Sequence, residues 1–311
     1  GNSGATVAFS ERDDGGDIVE TAFLMMGLLT ARQYLGGQEA ALAKRINALW
    51  RGVDWAGFCP RPDAMMWHWS PAHGFGMGLQ LRGWHEALIA FVLGAGSPTH
   101  PIDVRAYHQG WKNSHTFRNG HAYCRIRLPL GPEWGGPLFF AHYSFMGLDP
   151  RGLAEGGIDY WMQNRSHVRI NRTHCIINPH GYAGYGSAWG LTSCDGPAGY
   201  AAFSPTNDRG VIAPTAALAS MPYLPEASLA ALRYFDAYRD GALWGSYGLA
   251  DAFCEQEGWI AGSHLAIDQG PIVVMIENYR SGLLWRLFMS APEVKAGLGR
   301  LGFTIGGTRV A

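Results

Sequence analysis

Apolar residues recur at helical spacing along most of this chain, so the pattern of hydrophobic and polar positions predicts a mostly helical protein. The predicted helices span residues 18–34, 39–51, 84–94, 102–112, 135–148, 157–177, 225–239, 265–289 and 291–301. The helix at 265–289 is expected to break near Gly270, and residues 121–128 have the clearest strand pattern. Segments rich in glycine and proline separate the helices, and long loops of this kind usually carry function.

The predicted helices are of two kinds. Residues 39–50 are amphipathic and have one polar face, whereas residues 21–31 and 271–276 are apolar on nearly all sides. The first kind suits an outer layer and the second an inner layer. Alternating inner and outer helices joined by long loops indicate an all-α fold, an (α/α)6 toroid or six-hairpin barrel, with a pocket where the loops meet. A helix bundle or a globin-like arrangement is the alternative, although it fits such long loops poorly.

The amino-acid composition indicates which classes of binding partner suit this protein. The 311 residues are 47% hydrophobic and 16% charged, which allows a large core, and we predict a single catalytic domain over residues 1–311, although this length would also suit two domains. A formal net charge of −1 argues against nucleic acid and against anionic membranes, because both attract a basic surface. The 12 tryptophans would suit the flat faces of sugars, or they could simply fill a large aromatic core.

The cysteines do not point to a metal or redox site. Five of them are scattered without a Cys-x-x-Cys pair, so we expect mostly buried thiols and at most one disulfide. No segment has the uninterrupted apolar length of a membrane span, and no signal peptide is visible at Gly1. We expect that upstream sequence has been removed or is absent.

Glu86 is the most informative single residue. It stands between an aromatic and imidazole pair, Trp84 and His85, and an apolar helical run that stops before Pro98. A charge at the mouth of a buried helix loses hydration and needs partners, so this position indicates a site.

A second acidic group opens the first helix. Asp13, Asp14, Asp17 and Glu20 crowd together, and Asp17 and Glu20 share one helix face. Capping of the helix by Asp17 is the simpler interpretation. Crowded carboxylates repel one another and raise a pKa, and the neighbouring glycines could leave room for a ligand. Binding of Ca²⁺ by the three aspartates is a weaker alternative.

Five motifs, spread over nearly the whole chain, resemble those of the bacterial glycoamylase-like domain, and the closest branch is similar to the endo-β-1,2-glucanases of glycoside hydrolase family 144. They lie at residues 16–34, 84–101, 189–197, 243–248 and 276–285. The resemblance implies an (α/α)6 toroid that hydrolyses β-1,2-glucan with inversion. It also implies that the toroid here could lack its N-terminal helices, because family members carry helices upstream of the acidic motif.

The resemblance also implies which residues act. The family's catalytic carboxylates fall on Asp13, Asp17, Glu20 and Glu86. We expect Glu86 to be the general acid, because an aromatic and partly dry setting raises the pKa of a glutamate, and Asp17 or Glu20 to be the general base. Protonation alone carries such a reaction, so no metal and no cofactor is expected. The candidate substrate-binding residues are Trp67, Trp69, Trp84, His100, Tyr143, Arg165, Trp189, Asp195, Glu277 and Arg280. Glu277 and Arg280 could instead form a buried ion pair that stabilises the fold.

Several alternatives remain open from the sequence. The chain could be an exo-acting glucosidase, a phosphorylase or a lyase on the same toroid, although a lyase would ask for more basic residues. It could also be a glycan-binding module in which the carboxylates are structural. Because bacteria use β-1,2-glucans at the envelope and outside the cell, the resemblance suggests a periplasmic or secreted protein whose partner is an oligo- or polysaccharide.

Overall fold

The computed structural model describes residue 8 and residues 10–310, and it is mostly helical. The longer helices are α1 (Ile18–Leu35), α2 (Ala40–Gly52), α3 (Leu88–Gly96), α4 (Tyr160–Ile177), α5 (Pro214–Leu218), α6 (Pro225–Ala237), α7 (Ala266–Ser281), α8 (Leu283–Ser290) and α9 (Pro292–Arg300). Short 3-10 helices span Ala56–Phe58, Glu133–Gly135, Leu138–Ala141 and Ser144–Met146, and a π-helix spans Ala106–Trp111.

Short strands lie within the loops of this mostly helical fold, and two of them fall in the predicted strand region at 121–128. Antiparallel pairs join Gly16–Asp17 to His68–Trp69, Ala122–Tyr123 to Ile126–Arg127, Ser193–Cys194 to Ala201–Ala202, Trp244–Gly245 to Gly248–Leu249, and Phe253–Cys254 to Trp259–Ile260. Thr304–Ile305 pairs with both Leu153–Glu155 and Thr308–Arg309, and Ile158–Asp159 is a further strand. These pairings give the glycine-rich loops a fixed backbone.

Four of the predicted helices were wrong in position or in kind, and one of them, at 102–112, is a π-helix over Ala106–Trp111. The predicted helix at 84–94 begins only at Leu88, because the backbone N–H of Trp84 bonds to the carbonyl of Thr116 at 3.2 Å. Residues 135–148 form separate 3-10 turns, since Gly135 and Gly136 have φ values of 96° and 74°. The break expected near Gly270 lies at Gly282, which ends α7 with φ of 66°.

The chain divides into two compact units. The first unit contains the described residues up to Phe117, residues 152–157 and the residues from Arg286 onward. The second unit contains residues 118–151 and 158–285. Whether the chain acts as one catalytic domain stays a prediction.

The core of the first unit forms around α3, which is buried along its whole length. Glycines let α9 approach it closely: a Cβ atom at Gly96 would lie 2.1 Å from the carbonyl oxygen of Glu293, and one at Gly297 would lie 2.0 Å from that of Val92. Arg32 of α1 forms a bidentate ion pair with Glu293 of α9, with both bonds at 2.8 Å. Packing and this ion pair together hold α1, α3 and α9 in one group.

The second unit has its own core. The buried faces of α4, α5, α6 and α7 contribute to one apolar cluster that includes Trp189, Phe235 and Trp285. The thiols of Cys175, Cys194 and Cys254 are buried in this unit and all five cysteines of the chain are free, so the single disulfide that the sequence allowed does not form. None of the described helices combines the length and hydropathy needed to cross a bilayer.

Candidate active site

The start of α1 holds the Asp17 carboxylate in place. Asp17 caps the helix, because its Oδ1 accepts hydrogen bonds from the backbone N–H groups of Val19 at 2.8 Å and Glu20 at 2.9 Å. Its Oδ2 accepts one from the indole Nε1 of Trp67 at 3.1 Å and lies 3.2 Å from Nε2 of His68. The capping interpretation is therefore confirmed. The second oxygen of the Asp17 carboxylate contacts the side chains of Trp67 and His68.

A short antiparallel pairing brings residues 67–69 to this position. Gly16 pairs with Trp69, and Asp17 with His68. Gly15 permits the approach, because a Cβ atom there would lie 2.2 Å from the carbonyl oxygen of Trp69. The expectation that these glycines make room for a ligand was wrong at Gly15, which makes room for the neighbouring strand.

His68 stands between two carboxylates. Its Nε2 lies 3.2 Å from Oδ2 of Asp17 and 3.7 Å from Oδ2 of Asp13. Its Nδ1 is buried and has no hydrogen-bond partner in the part of the chain that the structure describes. The ring proton therefore belongs on Nε2, where carboxylate oxygens accept it. This donor offsets the repulsion between Asp13 and Asp17.

Three stacked rings connect these aspartates to Glu86. The ring of Trp67 lies between those of His68 and His85, at centroid distances of 5.8 and 5.5 Å and interplanar angles of 9° and 14°. Nδ1 of His85 lies 3.3 Å from Oε2 of Glu86. A single stack thus fixes the positions of acidic groups that are about 70 residues apart in the sequence.

Glu86 lies in the turn before α3, not within the helix as the sequence predicted. The residue is 8% exposed. The backbone N–H of Ala87 donates to Nδ1 of His85 at 3.3 Å, so the lone pair of this nitrogen already accepts a hydrogen bond. The Glu86 carboxyl is thus largely removed from water and is held against an aromatic wall.

Glu20 completes the group from the first turn of α1. Burial raises the pKa of Glu20, and the negative charges of Asp17 and Glu86 raise it further. The residue is nevertheless exposed to solvent. Water reaches it while protein atoms displace part of its hydration, which is the combination expected of a side chain at the wall of an open cleft.

These residues form what we call the open carboxylate cluster, made of Asp13, Asp17, Glu20 and Glu86. It combines carboxyl groups of different hydration within electrostatic reach of one another, which is the requirement for acid and base chemistry on one substrate. The indole of Trp69 is 43% exposed beside the strand that carries His68, and it can offer a face to a sugar. Among residues 8 and 10–310, no group of His, Cys, Asp and Glu side chains has the arrangement of a metal site.

A second acidic group lies within the second unit and is closed to water. Asp251 and Asp268 are each 1% exposed. The backbone N–H of Asp195 donates to Oδ2 of Asp251 at 2.8 Å, and the hydroxyl of Tyr143 donates to Oδ1 of Asp268 at 3.3 Å. Burial raises the pKa of Asp268 to about 8, with the charge of Asp251 as the next cause.

Asp251 and Asp268, which we call the closed aspartate pair, hold a proton because burial raises the pKa of both carboxyl groups. Oδ1 of Asp251 and Oδ2 of Asp268 are buried and have no donor among the other described residues. The negative charge of Asp251 adds to burial in raising the pKa of Asp268. One proton between them satisfies both oxygens and avoids two adjacent buried charges.

Three of the aromatic rings predicted to bind sugar are buried. Trp84 and Trp189 are 2% and 1% exposed, and Trp84 packs on Trp111 at 5.6 Å. Tyr143 is 5% exposed and stacks on Phe139 at 4.7 Å. In this structure none of the three offers a ring face to a ligand, so the alternative of an aromatic core applies to them.

The remaining predicted binding residues are His100, Arg165, Glu277 and Arg280. His100 follows the C-terminal end of α3, whereas Glu86 precedes its N-terminal end, and a helix of nine residues is about 13 Å long. Arg165 is half-buried on α4. Glu277 and Arg280 form an ion pair at 3.1 Å with exposed side-chain fractions of 30% and 71%, so the expectation of a buried pair was wrong.

The sequence analysis missed the two histidines that organise the cluster. His68 and His85 each follow a tryptophan, in Trp67-His68 and Trp84-His85. That repeated dipeptide was the available signal. It became informative only once the fold placed Trp67 between both imidazoles.

Comparison with known proteins gives the family. The Glycoamylase family model, described as "Putative glucoamylase", matches residues 78–292, so the chain belongs to the glycoamylase family. The resemblance inferred from the motifs is therefore confirmed.

Solved structures and a curated relative refine this similarity. A structure from Bacteroides uniformis ATCC 8492 with the same description is 56% identical, covers 98% of this chain and 76% of its own, and has a TM-score of 0.95. The endo-β-1,2-glucanase from Chitinophaga pinensis, solved with sophorotriose and glucose, is 48% identical, covers 97% of this chain and 74% of its own, and has a TM-score of 0.93.

The curated relative is an exo β-1,2-glucooligosaccharide sophorohydrolase (non-reducing end) from Parabacteroides distasonis. It is 40% identical over 97% of this chain. The chain spans only 45% of the length of that relative.

Proposed function

We propose that this chain is a glycoside hydrolase that cleaves β-1,2-glucan with inversion of the anomeric carbon. The observation that carries the proposal is the open carboxylate cluster, where the largely dry Glu86 and the hydrated Glu20 interact electrostatically. Similarity to the Chitinophaga endo-β-1,2-glucanase and to the Parabacteroides sophorohydrolase supports the linkage.

Glu86 is the proposed general acid. Glu86 is 8% exposed, and its Oε2 lies 3.3 Å from Nδ1 of His85, so it has the partly dry aromatic setting that suits a general acid. In the reaction Glu86 gives its proton to the glycosidic oxygen as the bond from that oxygen to the anomeric carbon breaks. Water attacks the opposite face of the sugar, and the product is the α-anomer.

Glu20 is a better general base than Asp17. Each oxygen of Asp17 already meets two donors, from Val19 and Glu20 at one oxygen and from Trp67 and His68 at the other. These four contacts use the acceptor positions of both oxygens, so Asp17 is less available to hold the attacking water. The exposed Glu20 has a raised pKa and is free to take a proton from the attacking water. Asp17 then orients the cluster, and Asp13 adds negative charge beside it.

Endo action is the preferred mode. Glu20 and Trp69 are exposed, which suits a site that accepts the interior of a polymer. The chain also covers 74% of the endo-acting relative but 45% of the exo-acting one. Exo action, as in the Parabacteroides relative, is the second candidate.

The finer architecture belongs to the same proposal. We infer an (α/α)6 toroid acting as one catalytic domain, supported by the contrast between the fully buried α3 and the amphipathic α2 and by the likeness to glucoamylase-like structures. A periplasmic or secreted location follows from the use of β-1,2-glucans at the bacterial envelope. Fractionation of cells that express the full-length protein tests the location.

The first experiment measures the reaction itself. The purified chain is incubated with linear β-1,2-glucan and, in parallel, with laminarin, cellulose and starch. Product length is followed by chromatography and anomeric configuration by NMR from the earliest time points. Short α-anomeric oligosaccharides of several lengths, from β-1,2-glucan alone, are expected.

Other outcomes have defined meanings. Release of disaccharide as the only product would show that the chain is exo-acting. Products in the β-anomeric form would exclude inversion. If no substrate is cleaved while glucan still binds, the chain is a glycan-binding module and the proposed activity fails.

A further inference from the structure

A cavity of about 480 Å³ in the second unit has the lining of a carbohydrate site. Its wall includes Tyr182, Tyr200, Asn207, Arg209 and Glu257, none of which belongs to the catalytic residues proposed above. We propose that this cavity binds a neutral gluco-oligosaccharide. Because the choice of linkage rests on the proposed function, β-1,2-linked glucan is the expected ligand.

A rigid turn presents Tyr200 at the edge of the cavity. Gly196 and Gly199 exchange backbone hydrogen bonds of 3.1 and 2.9 Å across the turn. A Cβ atom at Gly196 would lie 2.8 Å from the ring of Phe203, so the turn rests directly on that buried ring. Tyr200 follows the turn and is 58% exposed. An exposed aromatic ring on a fixed backbone is a suitable stacking surface for a sugar face.

The second aromatic wall is positioned by a glycine. Gly210 has φ of 74°, and a Cβ atom there would lie 2.8 Å from the ring of Tyr182. The absence of a side chain lets this ring pack flat on the backbone. Asn178 fixes the same segment, since its side chain accepts from the Tyr182 N–H and donates to the Tyr182 carbonyl, both at 2.8 Å. Tyr182 is therefore held in one orientation at the cavity wall.

A buried hydrogen-bond network holds Asp208, the residue before Arg209, in place. The carboxylate of Asp208 accepts hydrogen bonds from Tyr185 at 2.6 Å and from the Gly210 N–H at 3.0 Å, and lies 2.8 Å from Nε2 of His174. Arg209, the next residue, is exposed. Within the described part of the chain its guanidinium forms no ion pair with a carboxylate. It can therefore donate to a ligand.

The charges of the residues that line the cavity indicate which class of ligand it binds. Arg209 and Glu257 contribute opposite charges, so the cavity has no net attraction for anions or cations. Tyrosine rings, an amide and a charged donor and acceptor together match vicinal hydroxyl groups and an apolar sugar face. The volume lies within the usual range of ligand sites, about 300–1,000 Å³. A neutral oligosaccharide satisfies all of these conditions.

The test uses the full chain with Glu86→Gln, so that bound glucan is not consumed. Tyr200→Ala and Arg209→Gln are added singly, and Tyr34→Ala and Arg233→Gln serve as matched exposed controls. Calorimetry measures affinity for oligosaccharides from β-1,2-glucan, laminarin, cellulose and starch. Hydrogen exchange of residues 195–211, with and without each glucan, reports on the cavity itself.

We expect affinity for one glucan to fall roughly fivefold with Tyr200→Ala and about tenfold with Arg209→Gln, while the controls behave like the parent. Protection of residues 195–211 should appear in the parent and weaken in both variants. Parent-like affinity together with unchanged exchange, or no binding of any glucan, would overturn the proposal. Failure of the proposed activity is recognised separately, because it is measured as hydrolysis by the chain with Glu86 intact.

Discussion

The open carboxylate cluster and the closed aspartate pair both bring carboxyl groups close together, but the two groups differ in their access to water. In the open cluster, Asp13 and Asp17 share the imidazole donor of His68, and the exposed Glu20 keeps contact with water. In the closed pair, Asp251 and Asp268 are each 1% exposed, and burial raises the pKa of both. Hydrogen-bond donors and water surround the carboxylates of the first group, whereas the second group is closed to water.

This difference shows that a strongly shifted pKa does not by itself identify a catalytic residue. The pKa of Asp268 is raised to about 8, yet its oxygens face Tyr143 and Asp251 inside a core. The pKa of Glu20 is raised where water and a substrate can reach the carboxylate. Access, and not the shift alone, separates a site from a structural network.

The largest expected effect is on turnover. Replacing Glu86 by Gln should lower kcat by about 100- to 10,000-fold, because it removes the proton donor and keeps the shape. Glucan binding and the thermal midpoint should stay close to those of the parent. Asp268→Asn serves as the comparison and should retain most of the turnover. An equal loss of kcat in Asp268→Asn would indicate that the closed aspartate pair takes part in proton transfer. That result would contradict the distinction between the two groups.

The next largest effect shows whether Glu20 or Asp17 is the general base. Glu20→Ala should lose turnover and recover part of it in sodium azide, which replaces the water that the base activates and yields an α-glucosyl azide. Asp17→Ser keeps a residue able to cap α1 and should not be rescued. Kinetics with and without azide, and NMR of the product, measure both. Rescue of Asp17→Ser alone would make Asp17 the base.

The closed pair should appear as a pH dependence of stability. Between the ordinary aspartate pKa of 3.8 and about 8, Asp268 keeps its proton when folded and has lost it when unfolded. The free energy of unfolding should therefore fall with rising pH in this window, by about 1.4 kcal/mol per pH unit for one proton. Below this window both states are protonated, so the full contribution remains.

Denaturant titrations at pH 5 and pH 8 measure this loss. Asp268→Asn should flatten it, because an amide needs no proton to be neutral. Asp240→Asn, at an exposed residue whose φ of 57° suits asparagine, is the control. A slope that survives in Asp268→Asn would contradict the shared proton.

The smallest expected effect is a titration shift within the open carboxylate cluster. Glu86→Gln removes a negative charge that raises the pKa of Glu20, so the Glu20 pKa should move down toward its ordinary value. Carboxyl-carbon NMR over a pH series measures this shift. Glu39→Gln, at the start of α2, should leave it unchanged. No movement of the Glu20 resonance would show that Glu86 lies outside its electrostatic reach.

Local rules made some elements predictable. The extent of α1 follows from an apolar run behind an aspartate cap, and α2 from an amphipathic pattern. The same rules failed at the loops. Gly282, and not Gly270, ends α7, because the turn needs φ of 66° there while the helix continues through Pro271. Nothing in the local sequence ranked those two glycines.

The site was predictable to a similar degree. The acidic spacing at the start of α1 and the aromatic setting of Glu86 identified the carboxylates in the sequence. The burial of Trp84, Trp189 and Tyr143 was not predictable, because a ring that fills a core and a ring that binds a sugar have the same composition.

The sequence alone determined which side chains could do acid and base chemistry, since this depends on residue type and short-range spacing. Only the tertiary structure decided which of them meet. The strand pairing at Gly15 and Gly16 places Trp67 between His68 and His85, and so joins Asp17 to the distant Glu86. Packing within the second unit closes Asp268 away from water. Hydration and proximity set the role of a carboxylate, and both arise from contacts that are remote in sequence.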